Sequence, residues 1–446
     1  MTTDLADLLQ QVDPKVVGER VRAARELFAL PLTDLSHATG LDPATLDDVE
    51  HGRRPADLTL LTAVAASTAA SVELLITGLS QDALTDLQGD LDLARLSLSS
   101  SSPAGALTTA ERILTQLDAA GATAPHLDRA ARRLRARALE ASGDLNGAIE
   151  ELRRVSVVPV AEVEWVEDLI SLSRCLRDSG DLAEAIAIGE NAETEIRSLG
   201  LAETTEAIHL TVTVAAAYLF RGDVRHGARL CRRAADKADE CELLVAKASA
   251  LWNASGALDT NGDPNGALPL ALEALAIYET EGDTNLLARL RTHVATLQLK
   301  TQPPDLDSAL AMLERARVEL DWAAGTSIDA ARHRLCTARV LHSLGDDDRA
   351  SDMLDESESL TPVEAPELRA WQSALRGLLA AERGDVHQTR EHFLTAIHTL
   401  TSSGADKDAA QMWFELGDTL LRLGDRESAL DAFRRAGISQ GLQTGS

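Results

Sequence analysis

Residues that could carry out chemistry are few in this chain and badly spaced for it. Its 11 histidines include His333 and His342, and His387, His392 and His398, but none forms the His-Glu-x-x-His pair that would set two imidazoles one helical turn apart around a metal. There is no Gly-x-x-x-x-Gly-Lys-[Ser/Thr] phosphate loop, no Gly-x-Ser-x-Gly elbow and no Rossmann glycine string, so neither an enzyme nor a cofactor is expected. Cys175, Cys231, Cys241 and Cys336 lie far apart without a Cys-x-x-Cys pair, which argues against a disulfide framework or thiolate zinc site and leaves them as small core residues. What remains is charge. Lys and Arg number 43 against 71 Asp and Glu, a formal charge of −28, so a nucleic-acid-coating surface is excluded and any DNA contact must be local. An acidic N-terminus and the lack of any run near ~18 apolar residues lead to the expectation of a cytoplasmic protein without membrane contact.

The elements that would position these residues are helices. The 446 residues are 45% apolar but only 3% aromatic, a composition that favours an all-α chain packed through small side chains. From about residue 104 onward a Gly-Asp marker recurs at Gly143-Asp144, Gly180-Asp181, Gly222-Asp223, Gly262-Asp263, Gly345-Asp346, Gly384-Asp385 and Gly424-Asp425. A missing member is supplied by Pro304-Asp305, which makes eight units of about 40 residues. Gly suits the left-handed position that ends a helix and Asp caps the next, so each marker predicts a tight turn between two helices.

Three columns of small residues keep the same register. One stands four residues after each marker Asp (Ala148, Ala185, Gly227, Ala267, Ala309, Ala350, Thr389, Ala429). Another stands twelve before that (Ala136, Ser173, Ala215, Ser255, Leu297, Ala338, Gly377, Gly417), and the third seven after it (Val155, Ala192, Ala234, Ala274, Ala316, Ser357, Ala396, Ala436). This pattern resembles the tetratricopeptide repeat, although each unit is about six residues longer than the family's 34. Trp413 matches the aromatic residue that opens the family's first helix, and the other units lack it. Residues 83–119 read as a ninth, worn unit whose turn is Ser97 to Ser102 with Pro103. The resemblance implies a right-handed superhelix with an inner groove over residues 79–436, followed by a frayed tail at 437–446.

Residues 1–78 follow another pattern. Val17, Val21, Ala24 and Phe28 lie at helical spacing, Gly40 makes a turn, Asp42 caps a helix that starts at Pro43, and Gly52 ends it. Over residues 17–78 the segment resembles the lambda-repressor/Cro (Xre-type) helix-turn-helix domain, including a Gly-Arg-Arg turn. In that family the helix starting at Pro43 enters the major groove. The resemblance implies phosphate contacts from Arg53 and Arg54 and from one or two of Arg20, Arg22 and Arg25, with Ala44 and Thr45 touching a thymine methyl, Asp47 or Asp48 accepting from a cytosine amino group, and Thr33 also among the DNA-binding residues. Yet Asp42, Asp47 and Asp48 stand where the family usually has donors, Leu32 replaces its common Gln, and residues 1–78 carry six cations against twelve acids. About five phosphate contacts per subunit would give a log K versus log salt slope of about −4 to −5.

Carried onto this register, the family's groove columns pick out Arg137, Arg174, His209, Trp252, Asn253, Arg291, Gln298, Arg332 and Arg339, with Trp371 and Arg133 in the same columns. Arginines gathered on one face of so acidic a chain suit a peptide or small anionic effector, unless each pairs with a carboxylate of the next hairpin. An Xre-type head joined to such repeats resembles bacterial regulators of the RRNPP quorum-sensing type. That implies a homodimeric transcription regulator whose repeat groove senses an effector and resets the two heads on DNA. The alternative is an interaction scaffold whose degenerate head no longer binds DNA.

Overall fold

A computed structural model of the protein describes residues 5–99, 102–281, 284–323, 327–362 and 365–439. Every regular element among them is a helix. The first six are α1 (Leu5–Gln11), α2 (Pro14–Leu27), α3 (Leu32–Thr39), α4 (Pro43–Glu50), α5 (Leu58–Ser67) and α6 (Val72–Thr77). Hairpin-forming helices follow: α7 (Gln81–Ser99), α8 (Pro103–Ala119), α9 (Pro125–Ala141), α10 (Leu145–Ser156), α11 (Val163–Asp178), α12 (Leu182–Ser198), α13 (Thr205–Phe220), α14 (Val224–Glu240) and α15 (Leu244–Thr260). The rest are α16 (Pro264–Glu281), α17 (Thr284–Lys300), α18 (Leu306–Ala323), α19 (Ser327–Ser343), α20 (Asp347–Leu360), α21 (Pro366–Glu382), α22 (Val386–Ser402), α23 (Asp406–Arg422) and α24 (Arg426–Ser439). They fall into two compact units, Met1–Ala217 and Tyr218–Ser446.

In the first unit, Val17, Val21, Leu35, Leu46, Leu61, Val64, Leu75 and Ile76 form one core. The turn chemistry follows from the residues. Gly40 takes φ +69° at the end of α3, and Asp42 caps α4 by accepting from the Thr45 amide at 2.9 Å. A Cβ on Gly18 would lie 2.1 Å from the Val49 carbonyl oxygen, so only Gly lets α2 and α4 come this close. Arg20 donates to the Gly121 carbonyl at 2.8 Å and the Thr123 amide to that of Thr77 at 2.8 Å, which ties this core to the α8–α9 turn. The worn hairpin is α7 and α8, and residues 100 and 101 of its turn lie outside the described residues.

The marker turns behave as their residues require. Glycines 143, 180, 222, 262, 345, 384 and 424 have φ between +75° and +93°. Each marker Asp except Asp223 accepts from the amide three residues on. The Asp223 carboxylate is taken by the Arg221 guanidinium at 2.7 Å. The three small columns are buried, with one correction at α17. The amides of Asp144, Asp181, Asp223, Asp263, Asp346, Asp385 and Asp425 each bond a carbonyl five residues back, but Asp305 reaches Gln298, seven back. The Thr301–Pro304 turn is thus two residues longer than its counterparts. The register of α17 shifts by two, and Ala295, not Leu297, stands in the small column. The tail at 440–446 lies outside the described residues, and α24 continues to Ser439, past the expected limit at 436.

Candidate functional site

The head residues assigned to DNA contact are mostly engaged within the fold. Arg25 donates to both Glu50 oxygens, at 2.6 and 2.9 Å, and to the Leu30 carbonyl; the Glu50 bonds hold its guanidinium above its ordinary range. Arg20 is spent on the carbonyls of Ile76 and Gly121, and burial lowers its pKa. Arg53 closes on Asp48 at 2.6 Å and Asp47 at 2.5 Å. The Thr45 hydroxyl donates to Asp42 at 2.6 Å, and this bond is the main reason the Asp42 carboxyl sits below its usual range. Ala44 and Thr33 are exposed. Arg22, Arg54 and Lys15 make no ion pair among the described residues, and Arg54 and Lys15 are exposed. Of the six cations of residues 1–78, Lys15, Arg22 and Arg54 are thus the ones without an ion pair or a side-chain hydrogen bond among the described residues, while Asp42, Asp47 and Asp48 lie at the start of and along α4.

The candidate groove residues separate in the same way. Arg174 is bound bidentately by Glu140 at 2.7 and 2.9 Å, Arg133 by buried Asp168, and Arg137 by Glu167 at 2.9 Å. Arg133 and Arg137 line a cleft of about 440 Å³ with Arg95, which pairs with Asp92. His209 is half-buried with an unbonded Nε2, and desolvation lowers its pKa. Asn253 is turned onto its own helix, donating to the Ser249 carbonyl. The two-residue shift of α17 moves Arg291 and Gln298 off the groove. Arg291 is buried between Glu279 and Glu319 at 2.7 and 2.8 Å, and Gln298 is buried with an unbonded Oε1.

Trp252, Arg332 and Arg339 do come together. The inner faces of α15, α17, α19 and α21, with the start of α23, enclose a groove of about 450 Å³ in the second unit. The shift brings Arg289 to the position that Arg291 was expected to hold. Its guanidinium carbon lies 5.7 Å from the Trp252 ring centre and a nitrogen 3.5 Å from Asp329. Arg339 stacks over Trp371 at 5.3 Å. Neither Arg332 nor Arg339 makes an ion pair among the described residues. His293 also lines the wall; its Nε2 meets the Ser255 hydroxyl at 3.1 Å, and burial pushes its pKa down to about 4. At one end Lys300 binds Asp259 at 2.8 Å, and burial raises the Asp408 carboxyl above its usual range. A wider space of about 880 Å³ continues past Lys300, Arg339, Trp371 and Asp408 toward Phe414 and Phe433. There Lys407 donates to the Thr260 carbonyl. The sequence columns missed Arg289, His293 and Lys300; the paired prolines Pro303-Pro304 before Asp305 were the available sign of a longer turn.

Among the described residues no group of three His, Cys, Asp or Glu is placed to hold a metal, and no helix is long and apolar enough to cross a membrane. Burial pushes the thiols of Cys175 and Cys231 up to about 12.

Residues 410–436 match the family model described as tetratricopeptide repeat. No curated protein matches the chain. Among solved structures, the apo form of RapI is similar at a TM-score of 0.57 and 14% identity, over 80% of this chain and 97% of that one. The Rap conjugation gene regulator of plasmid pLS20 in complex with the Phr* peptide gives 0.52 at 15% identity, over 80% and 95%. The apo quorum sensor NprR from B. thuringiensis gives 0.52 at 14%, over 80% and 99%. The likeness shows a shared all-helical repeat fold.

Proposed function

We propose that the chain is a ligand-responsive regulator whose groove in the second unit binds a short peptide through its carboxylates, and whose head delivers the response to DNA. The observation that carries this reading is the pair Arg332 and Arg339, which stand on one wall without a carboxylate of their own beside Trp371, in a chain of charge −28. Arginine forks bind carboxylates bidentately and indole faces hold apolar side chains, so wall and guest are complementary. The Rap regulator of the same fold that is bound to a Phr* peptide supports the same class of guest. Native mass spectrometry of the full chain purified from its own cells tests the proposal. A peptide-sized adduct is expected on the native chain and not on the Arg332→Ala/Arg339→Ala variant. A bare native chain that also fails to retain any member of a pool of acidic heptapeptides would reject it.

A second reading has one specific observation in its favour. Because the single guanidinium of Arg53 is bridged to both Asp47 and Asp48, it is committed within the head and the helix that would face the major groove stays net acidic, which suits a protein contact better than a phosphate. Fluorescence anisotropy with the chain's own upstream DNA separates the two. Specific binding that weakens with salt supports the regulator, and no binding at about 50 mM salt supports the docking head.

A further inference from the structure

The outward positions of the second helix in each hairpin can be compared residue by residue, because every one is counted from its marker Asp. Two, six, nine and ten residues after the marker, α14 carries Arg225, Arg229, Arg232 and Arg233. The same four positions of α20 carry Asp348, Asp352, Asp355 and Glu356. No other unit is uniform in sign: α16 has Asn265, Pro269, Leu272 and Glu273, and α24 has Glu427, Asp431, Arg434 and Arg435. All eight residues on α14 and α20 are exposed. Steps of four and three residues put the first three of each set along one helical face, one per turn.

The arginine face is unbalanced from within. Arg225, Arg232 and Arg233 make no ion pair among the described residues, and Arg229 meets only the His226 imidazole, at 3.3 Å. No acid stands on α14 before Asp236. On α20, Asp348 and Asp352 make no ion pair among the described residues. Asp355 is shared with Arg376, and Glu356 with Arg334 at 2.7 Å, yet their side chains remain 64% and 49% exposed.

We propose that these faces are the two halves of a self-association surface, with the arginines of α14 in one copy docking on the carboxylates of α20 in a second copy. Charge number and spacing match on the two sides, and the acidic half is a surface this chain demonstrably carries. A nucleic-acid duplex fits less well, since it brings a charge about every 1.7 Å along its axis and would meet the rest of a −28 chain beyond the stripe. Because the halves are different surfaces, the contact forms either twice in a twofold pair or head to tail.

Sedimentation velocity of the nuclease-treated full chain tests this. Assembly is expected at about 50 mM salt and should be at least about tenfold weaker at about 500 mM, where the screening length falls to a few ångströms. Arg225→Glu/Arg229→Glu/Arg232→Glu and, separately, Asp348→Lys/Asp352→Lys should each be monomeric alone with an unchanged helical circular dichroism signal. An equimolar mixture of the two variants should reassemble, because the remaining arginine face then meets an intact acidic face. A native chain that stays monomeric at low salt, or a mixture that fails to reassemble, overturns the proposal. So does retention of a random-sequence duplex by α14 in place of self-association.

Discussion

Arg25 shows how one side chain can be reassigned by its surroundings. On sequence it stands among the arginines of an amphipathic helix; in the fold it is held by Glu50, whose side chain is only 3% exposed. Removing one partner of such a pair leaves a buried charge without compensation, so Arg25→Met should cost about 3 kcal/mol or more, and Arg25→Met/Glu50→Leu should recover most of it. Urea denaturation followed by hydrogen exchange in α2 and α4 reads both. His293 gives a prediction in pH. Its imidazole is neutral in the fold, with a pKa of about 4 against an ordinary 6.5 when unfolded. Between those values the unfolded chain binds a proton that the native chain refuses, so stability falls as pH drops from 6.5 toward 4, by a share on the order of 3 kcal/mol. His333, His209 and His126 are lowered in the same sense by burial. Melting temperatures of the native chain and His293→Gln between pH 7 and 5 should converge on acidification. Parallel curves would show that His293 does not take part.

Hairpin geometry belongs to the scale of elements, and there close approach is decided by absent atoms. A Cβ on Gly377 would sit 2.7 Å from the Phe393 ring and 3.2 Å from the Thr389 carbonyl oxygen. Gly377→Val should therefore push α21 from α22 and cost about 1–3 kcal/mol, with partial recovery in Gly377→Val/Phe393→Leu. Denaturant midpoints of the two variants measure this. The hairpin turns and small columns were legible because their signals are local: a left-handed glycine, a capping Asp and a residue too small to hold helices apart. The register of α17 was not, since a marker without Gly leaves the turn length open. Two extra residues there exchanged Arg289 for Arg291 and Ala295 for Leu297.

For the whole molecule the governing quantity is where net charge is left over. With Arg20, Arg25 and Arg53 committed, a head has Lys15, Arg22 and Arg54 for phosphates, so the slope of log K against log salt should be about −3 per head and not the −4 to −5 that five contacts imply. Anisotropy titrations at three or more salt concentrations measure it, and a slope steeper than −4 would mean that the internal pairs open on DNA. The amino-acid sequence by itself determined the helical class, the roughly 40-residue period and the turns, because these depend on neighbours a few residues apart. Only the tertiary structure decided which arginines are free. A guanidinium is spent or available according to where carboxylates from other helices come to rest, and that placement depends on packing between segments tens of residues apart.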